Sequence, residues 1–504
     1  MRDVVDLETQ LQKDVMNIKK LAEEAGLDFF PVNFEIITKK AMVEFGTYAL
    51  PNRYSHWTFG KQYGKLKNLS NLGVLEILEM VLNANPARAF LLDSNTLVEH
   101  RMVIAHVFAH VDFFKHNYWF SKTNRNMIAE AKFHERRIKE LETEYGKKDV
   151  EEFLDLCIAL QWHVDFYAVF KPKEKQVKKV SSACIRQFAN IDEVDMEAGF
   201  EKGAGEMEEG KVVTGAAGAG PAAGDRDAAI GLSGQSILYD PAEDKGKEEE
   251  AGVAPPSGDM EDRDILKFLL REAPLTEWQK EIVQIVHDEI IYFIPTSLTK
   301  IMNEGWATYW HTEICQTYLD FEEFQQFAIR HSELMSSRGL NPYKLGFMMY
   351  GEIRKQWDDK FGEGAGLQKI YEIREFEDDV SFVRNYLTQK ICDECGLFLF
   401  EQDKKTGEMV IKSTSVEDIK VSIINEIANF GKPLIVVRDG DYRDNEELYL
   451  EHKFDGRELD MNYAVDVMKA LYRIWRRAVH LETILGEKRT LVTYNGEKPV
   501  MQNF

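Results

Sequence analysis

Apolar residues recur at helical spacing from Asp6 to Ala25, at Leu7, Leu11, Val15, Ile18 and Leu21, and Gly26 then offers a stop. The chain therefore opens on an amphipathic helix whose plainest role is packing against a core. The same periodicity predicts helices over 97–117, 126–145 and 150–170, with Gly146 ending the second and Pro172 closing the third. It resumes at Ile265 and runs through 278–293, 300–318 and 342–361. After about Glu394 the pattern changes to short runs rich in β-formers, at 397–401, 409–412, 433–438, 448–454 and 491–494, separated by helices near 416–430 and 461–477. Asp455-Gly456 and Asn495-Gly496 supply tight reversals.

Between about Met196 and Asp262 large apolar residues nearly vanish and Glu, Gly and Ala dominate, as in Gly215-Ala216-Ala217-Gly218-Ala219-Gly220-Pro221. Such a stretch cannot offset its ordering entropy by burial and reads as a disordered acidic insertion, with Ile237-Leu238-Tyr239 its one apolar patch. The expected fold class is α+β. A large, mainly helical unit (1–195 and 263–392) is interrupted by the insertion at 196–262, and a smaller α+β domain of ββαββαβ order follows at 393–504.

Composition narrows the function classes. With 504 residues, 44% of them hydrophobic and 11% aromatic, the chain can bury a large core. A net charge of -23 repels phosphate backbones and anionic lipids, so nucleic acid is not an expected partner. No apolar stretch approaches the roughly 20 residues that span a bilayer. The first residues lack the basic-then-apolar pattern of a signal peptide, and five scattered cysteines suit a reducing compartment. A cytoplasmic location is expected.

Candidate chemistry gathers around histidine. His100, His106, His110, His116, His134 and His163 are six of the 12 in the chain. His106 and His110, at i and i+4 on a predicted helix, place both imidazoles on one face, where they can share a metal ion. This is the spacing of the H-E-x-x-H metalloprotease helix, but Val107 stands where that motif has its general base. A second predicted helix carries Glu304 and His311, seven residues apart and hence on one face. A downstream carboxylate is the third zinc ligand of gluzincin-type hydrolases, so His106, His110 and Glu304 form a candidate zincin-like site for zinc or another divalent transition metal. Glu304, His311 and His134 are the candidate catalytic residues, with Glu99 and Asp112 as further candidate bases. Asp112 could instead orient a ligand histidine. The competing expectation is a buried polar network without metal. Cys392-Asp393-Glu394-Cys395 is a lone C-x-x-C and reads as reduced thiols, and the basic run 171–179 reads as a solvated connector.

Several separate stretches stand out: Ser55-His56-Trp57-Thr58-Phe59-Gly60-Lys61, Ala105-His106-Val107-Phe108-Ala109-His110-Val111-Asp112, Asn303-Glu304-Gly305-Trp306-Ala307-Thr308, Glu447-Leu448-Tyr449-Leu450-Glu451-His452 and His480-Leu481-Glu482-Thr483. In this order they resemble the SpoVR family of bacterial sporulation proteins. The resemblance implies a role in spore cortex formation, or in stress responses where no spores form. It implies as partners a PrkA-type serine protein kinase and a von Willebrand factor A-like protein. It names no reaction. Two functions follow as expectations: a metal-dependent amide hydrolase, or a non-catalytic scaffold or regulatory partner of the kinase system.

Overall fold

The computed structural model describes residues 2–51, 53–71, 79–168, 170, 261–336, 340–403 and 406–503. The expected acidic insertion, with its Ile237-Leu238-Tyr239 patch, lies outside them except for Glu261 and Asp262, as does the basic run 171–179. The N-terminal half carries α1 (Arg2–Glu24), β1 (Val32–Ile37), α2 (Lys39–Tyr48), α3 (Trp57–Asn71), β2 (Glu79–Leu82), β3 (Ala87–Leu92), α4 (Leu97–His116), α5 (Met127–Tyr145) and α6 (Lys147–Leu160). After the gap come α7 (Ile265–Glu272), α8 (Glu277–Leu298), α9 (Lys300–Tyr318), α10 (Phe321–Met335), α11 (Pro342–Phe361), α12 (Ala365–Phe376), α13 (Asp379–Tyr386) and α14 (Gln389–Cys395). The chain ends with β4 (Leu399–Gln402), β5 (Met409–Ser413), α15 (Val416–Ile427), β6 (Ile435–Tyr442), β7 (Glu447–His452), α16 (Met461–Trp475), β8 (Val479–Leu485), β9 (Lys488–Tyr494) and β10 (Val500–Asn503). The class is α+β, as the periodicity predicts.

A helix that is apolar around its whole circumference must be covered on every side. The helix α4 is of this kind: each residue from Met102 to Phe114 is buried. A reciprocal capping box starts it, Thr96 Oγ1 accepting from Glu99 N at 3.3 Å while Glu99 Oε2 accepts from Thr96 N at 2.7 Å. Against it lies α9, equally buried from Gly305 to His311. Its first turn is held from a distance by Asp379, whose carboxylate accepts from Ile301 N at 2.8 Å and Met302 N at 2.9 Å. The two helices are locked by Asp112 at the end of α4, which accepts from Trp306 Nε1 at 2.9 Å and pairs with both oxygens on Arg374 at 2.7 and 2.8 Å. On its other side α9 crosses α11 with almost no clearance: a Cβ on Gly305 would lie 2.3 Å from Gly346 Cα, so neither glycine can carry a side chain. These contacts fix where Asn303, Glu304 and His311 point.

A small sheet of order β1-β3-β2 packs beside α4, with β1 parallel to β3 and β2 antiparallel at the edge. The periodicity does not reveal it, because a short strand buried on both faces, such as Ala87–Leu92, lacks the alternation that marks a half-exposed one. The helix expected over 150–170 ends at Leu160; the chain turns there and buries Val164 and Phe166, whose spacing from Cys157 and Leu160 mimics another helical turn. The C-terminal region is ββαββαβββ, two strands longer than the expected order. Its five-stranded sheet runs β10-β9-β8-β7-β6, with β7 and β8 the parallel pair. The α16 face Met468, Leu471 and Ile474 packs on it. The β4–β5 hairpin forms a separate two-stranded sheet, and Ile419 and Ile423 of the following α15 join the core of α4 and α9. Among the described residues no helix is long and apolar enough to cross a membrane.

Candidate metal centre

The i and i+4 spacing on α4 puts His106 and His110 on one face, their rings 4.5 Å apart and nearly perpendicular. Glu304 on α9 meets both: its Oε2 lies 3.6 Å from His106 Nε2 and 3.5 Å from His110 Nε2. A fourth group arrives from the edge strand, where Glu79 Oε1 lies 3.4 Å from His106 Nε2. The donor atoms of Glu79, His106 and His110 all fall within 4.8 Å of one another and could hold a metal ion. The histidine side chains are 4% and 6% exposed and the carboxylates 16% and 20%, so the cluster is reached from the carboxylate side.

The residues fit a cation on two counts. First, His106 Nε2 and Glu304 Oε2 are buried and neither has a hydrogen-bond partner among the described residues. Such orphans are rare in folded proteins and call for an explanation. Second, 3.4–3.6 Å is long for a hydrogen bond. Two donors at about 2.1 Å from one tetrahedral ion stand roughly 3.4 Å apart. The groups are spaced as co-ligands are spaced.

The far sides of both imidazoles are anchored. His110 Nδ1 pairs with Asn303 Oδ1 at 2.9 Å and His106 Nδ1 with His311 Nδ1 at 2.8 Å. His311 Nε2 continues to His331 Nδ1 at 3.2 Å. Outer partners of this kind set the tautomer and aim of a ligand histidine. Tyr343, at the start of α11, stacks on His106 with ring centroids 6.1 Å apart.

Electrostatics separates the two carboxylates. Burial alone would raise the Glu304 carboxyl, but the two imidazoles that face it, His106 and His110, reverse this and hold it far below the ordinary range. Burial raises Glu79, with repulsion from Glu304 adding to it. His110 would be lowered by burial, yet its contact with Glu304 raises it. Burial and the neighbouring imidazoles depress His311 strongly. The negative charge of Glu304, followed by burial, pushes the Tyr343 phenol well above its ordinary value.

Of the residues singled out from sequence, His106, His110, Glu304 and His311 come together. His134 does not: its Nδ1 faces Glu289 Oε1 at 3.2 Å, in a cluster that Arg53 completes. Glu99 is taken up by its helix cap and by Arg330 at 2.9 Å, and Asp112 by Trp306 and Arg374 rather than by a histidine. Sequence reasoning missed Glu79, Asn303, His331 and Tyr343. Glu79 had a usable signal, as a lone acid in the apolar run Ile77-Leu78-Glu79-Met80-Val81-Leu82.

Comparison with known proteins agrees with the motifs. The profile described as "SpoVR like protein" matches residues 6–215 and 233–432, and that described as "SpoVR-like C-terminal domain" matches 433–486. The "Uncharacterized protein YcgB" of Escherichia coli (strain K12) is 27% identical over 501 residues, covering 92% of this chain and 90% of that protein. No solved structure matches.

Proposed function

We propose that this chain, which belongs to the SpoVR family, is a divalent-metal hydrolase acting on an amide bond, with its ion held by His106, His110 and Glu304 and with Glu79 as the proton acceptor. The observation that carries the reading is the pair of orphaned buried atoms, His106 Nε2 and Glu304 Oε2, at co-ligand separation. Zinc is the ion the donor set suits best, two imidazoles and a carboxylate. When bound, such an ion supplies a Lewis acid and a nucleophile at neutral pH.

The chain's own residues do the rest. Keeping His106 Nε2 bare for the ion places its proton on Nδ1, which donates to His311 Nδ1; His311 Nε2–H then donates to His331 Nδ1. His311 is thus a positioning residue. Asn303 does the same for His110 by accepting from Nδ1–H. Glu79 touches only one of the two histidines and stands on the edge strand, free to take a proton from a water beside the ion and pass it to a leaving amine. It fills the role that Val107 leaves vacant on α4, which is the zincin-like feature of the proposal. Tyr343 contributes a neutral hydroxyl beside the developing oxyanion.

The setting we propose is cytoplasmic, in spore cortex formation or a stress response, beside a PrkA-type kinase and a von Willebrand factor A-like protein. The test is release of free amines from cortex-derived muropeptides by zinc-loaded protein. Glu79→Gln should keep its zinc and lose turnover. Wild-type protein that is fully loaded and releases nothing would remove the hydrolase and bring the scaffold reading forward.

A further inference from the structure

The β4–β5 hairpin stands apart from the five-stranded sheet, and a two-stranded sheet is marginal in water unless a third strand or a packed face supports it. Leu399 of β4 is anchored to the core of α4 and α9, but β5 is open. Its apolar run Met409, Val410 and Ile411 is 64%, 40% and 53% exposed, and Lys412 is exposed after it. Phe400 of β4, itself 54% exposed, lies directly opposite Ile411, and Met409 shares that face at two residues' distance. Folded proteins blunt such an edge with proline, charge or a covering segment. The β5 strand has no proline and, among the described residues, no strand on its outer side. Its guards are Glu408, just before it, and Lys412.

Backbone geometry decides what can cover this edge. Asp403 N donates to Glu408 O at 2.8 Å, which turns the backbone groups of Glu408, and by alternation those of Val410, towards β4. The backbone groups of Met409 and Ile411 therefore face the open edge. An antiparallel copy of β5 can pair only in registers that set these outward residues against outward residues. In one such register Glu408-Met409-Val410-Ile411-Lys412 is its own complement. Centred on Val410, it sets Val410 against Val410, Met409 against Ile411 in both directions, and Glu408 against Lys412 at both ends. Centring on Met409 would put Lys412 against Thr406, and centring on Ile411 would put it against Val410, so the charges would lose their counterparts. The same two charges that repel an unrelated strand select this one.

We propose that β5 pairs antiparallel with β5 of a second copy of this chain, joining the two hairpins into one continuous sheet around a twofold axis at Val410. Such a contact is isologous, so one surface serves both copies. Met409 and Ile411 exchange backbone hydrogen bonds with Ile411 and Met409 of the second copy, and their side chains meet on the face that carries Phe400. The contact is independent of the metal centre.

Sedimentation velocity of the full chain across the micromolar range reads the assembly. The wild type should form a concentration-dependent dimer. Glu408→Lys and Lys412→Glu each set like charges against one another at both ends and should each weaken the dimer roughly tenfold or more. Both side chains are exposed, so melting temperatures should not change. An equimolar mixture of the two variants restores opposite charges at both ends and should recover the dimer, which a damaged fold could not do. A monomeric wild type leaves the edge to some other chain and overturns the proposal, as does a dimer untouched by either charge reversal or a mixture that stays monomeric.

Discussion

Two buried histidine–glutamate clusters in this protein use the same residue types to opposite ends. In the first, both oxygens of Glu289 are engaged: Oε2 by Arg53 Nε at 2.5 Å and Oε1 by His134 Nδ1 at 3.2 Å, with the carboxylate wholly buried. One anion meets one guanidinium and one imidazole, and the cluster is complete. In the second, two carboxylates, Glu79 and Glu304, converge on two histidines with no lysine or arginine among them, and buried atoms lack partners. The difference teaches that charge balance and hydrogen-bond satisfaction, rather than residue composition, separate a structural cluster from a ligand-binding one.

The largest expected effect tests the closed cluster. Glu289→Ala leaves the Arg53 guanidinium buried without its partner and should lower the unfolding free energy by about 3–5 kcal/mol, while metal content stays as in the wild type. Denaturant titration and metal analysis of one preparation check both. Glu304→Gln should give the reverse pattern, with metal lost and the stability of the metal-free protein little changed. If both variants behave alike, the comparison fails.

A third pair, His287 with Asp264 at 3.0 Å, extends the closed class to the first turn of α7. Burial would lower His287, but the Asp264 carboxylate raises it to about 9. Its contribution is present in full below the unfolded value of 6.5 and is lost as pH rises through 9. Melting curves from pH 6 to 10 should therefore show a loss on the order of 3 kcal/mol that is absent in His287→Gln.

The remaining predictions sharpen the open cluster. Gly305→Ala forces a Cβ against Gly346 Cα and should cost about 1–3 kcal/mol while also weakening metal binding, because Asn303 and Glu304 sit on the displaced turn. His311→Ala removes only the outer anchor of His106 and should weaken zinc about tenfold by competition titration, with little change in folding.

Much of this arrangement was legible in the chain. The His106 and His110 pair follows from helical spacing alone, and the helix carrying Glu304 and His311 is placed correctly by periodicity. What failed was inference from clustering along the sequence. Six histidines fall close together in the chain, yet only His106 and His110 share the site, because α5 turns His134 towards α8 instead. Glu79 was missed for the opposite reason: the sequence marks it only as an acid in an apolar run, and the edge-strand pairing with β3 that delivers it to the site is a tertiary fact. The β8 strand was missed because residues 479–483 are buried on both faces, His480 and Glu482 included, so burial there does not alternate as it does in a half-exposed strand.

The central claim is that the open cluster is completed by a cation. The most direct measurement is metal content by inductively coupled plasma mass spectrometry, on protein purified without an affinity tag or chelator, beside His106→Ala/His110→Ala and Glu304→Gln. The account predicts about one zinc or other divalent transition metal per chain in the wild type and none in the variants. Wild-type protein that stays metal-free after dialysis against each candidate ion would contradict it.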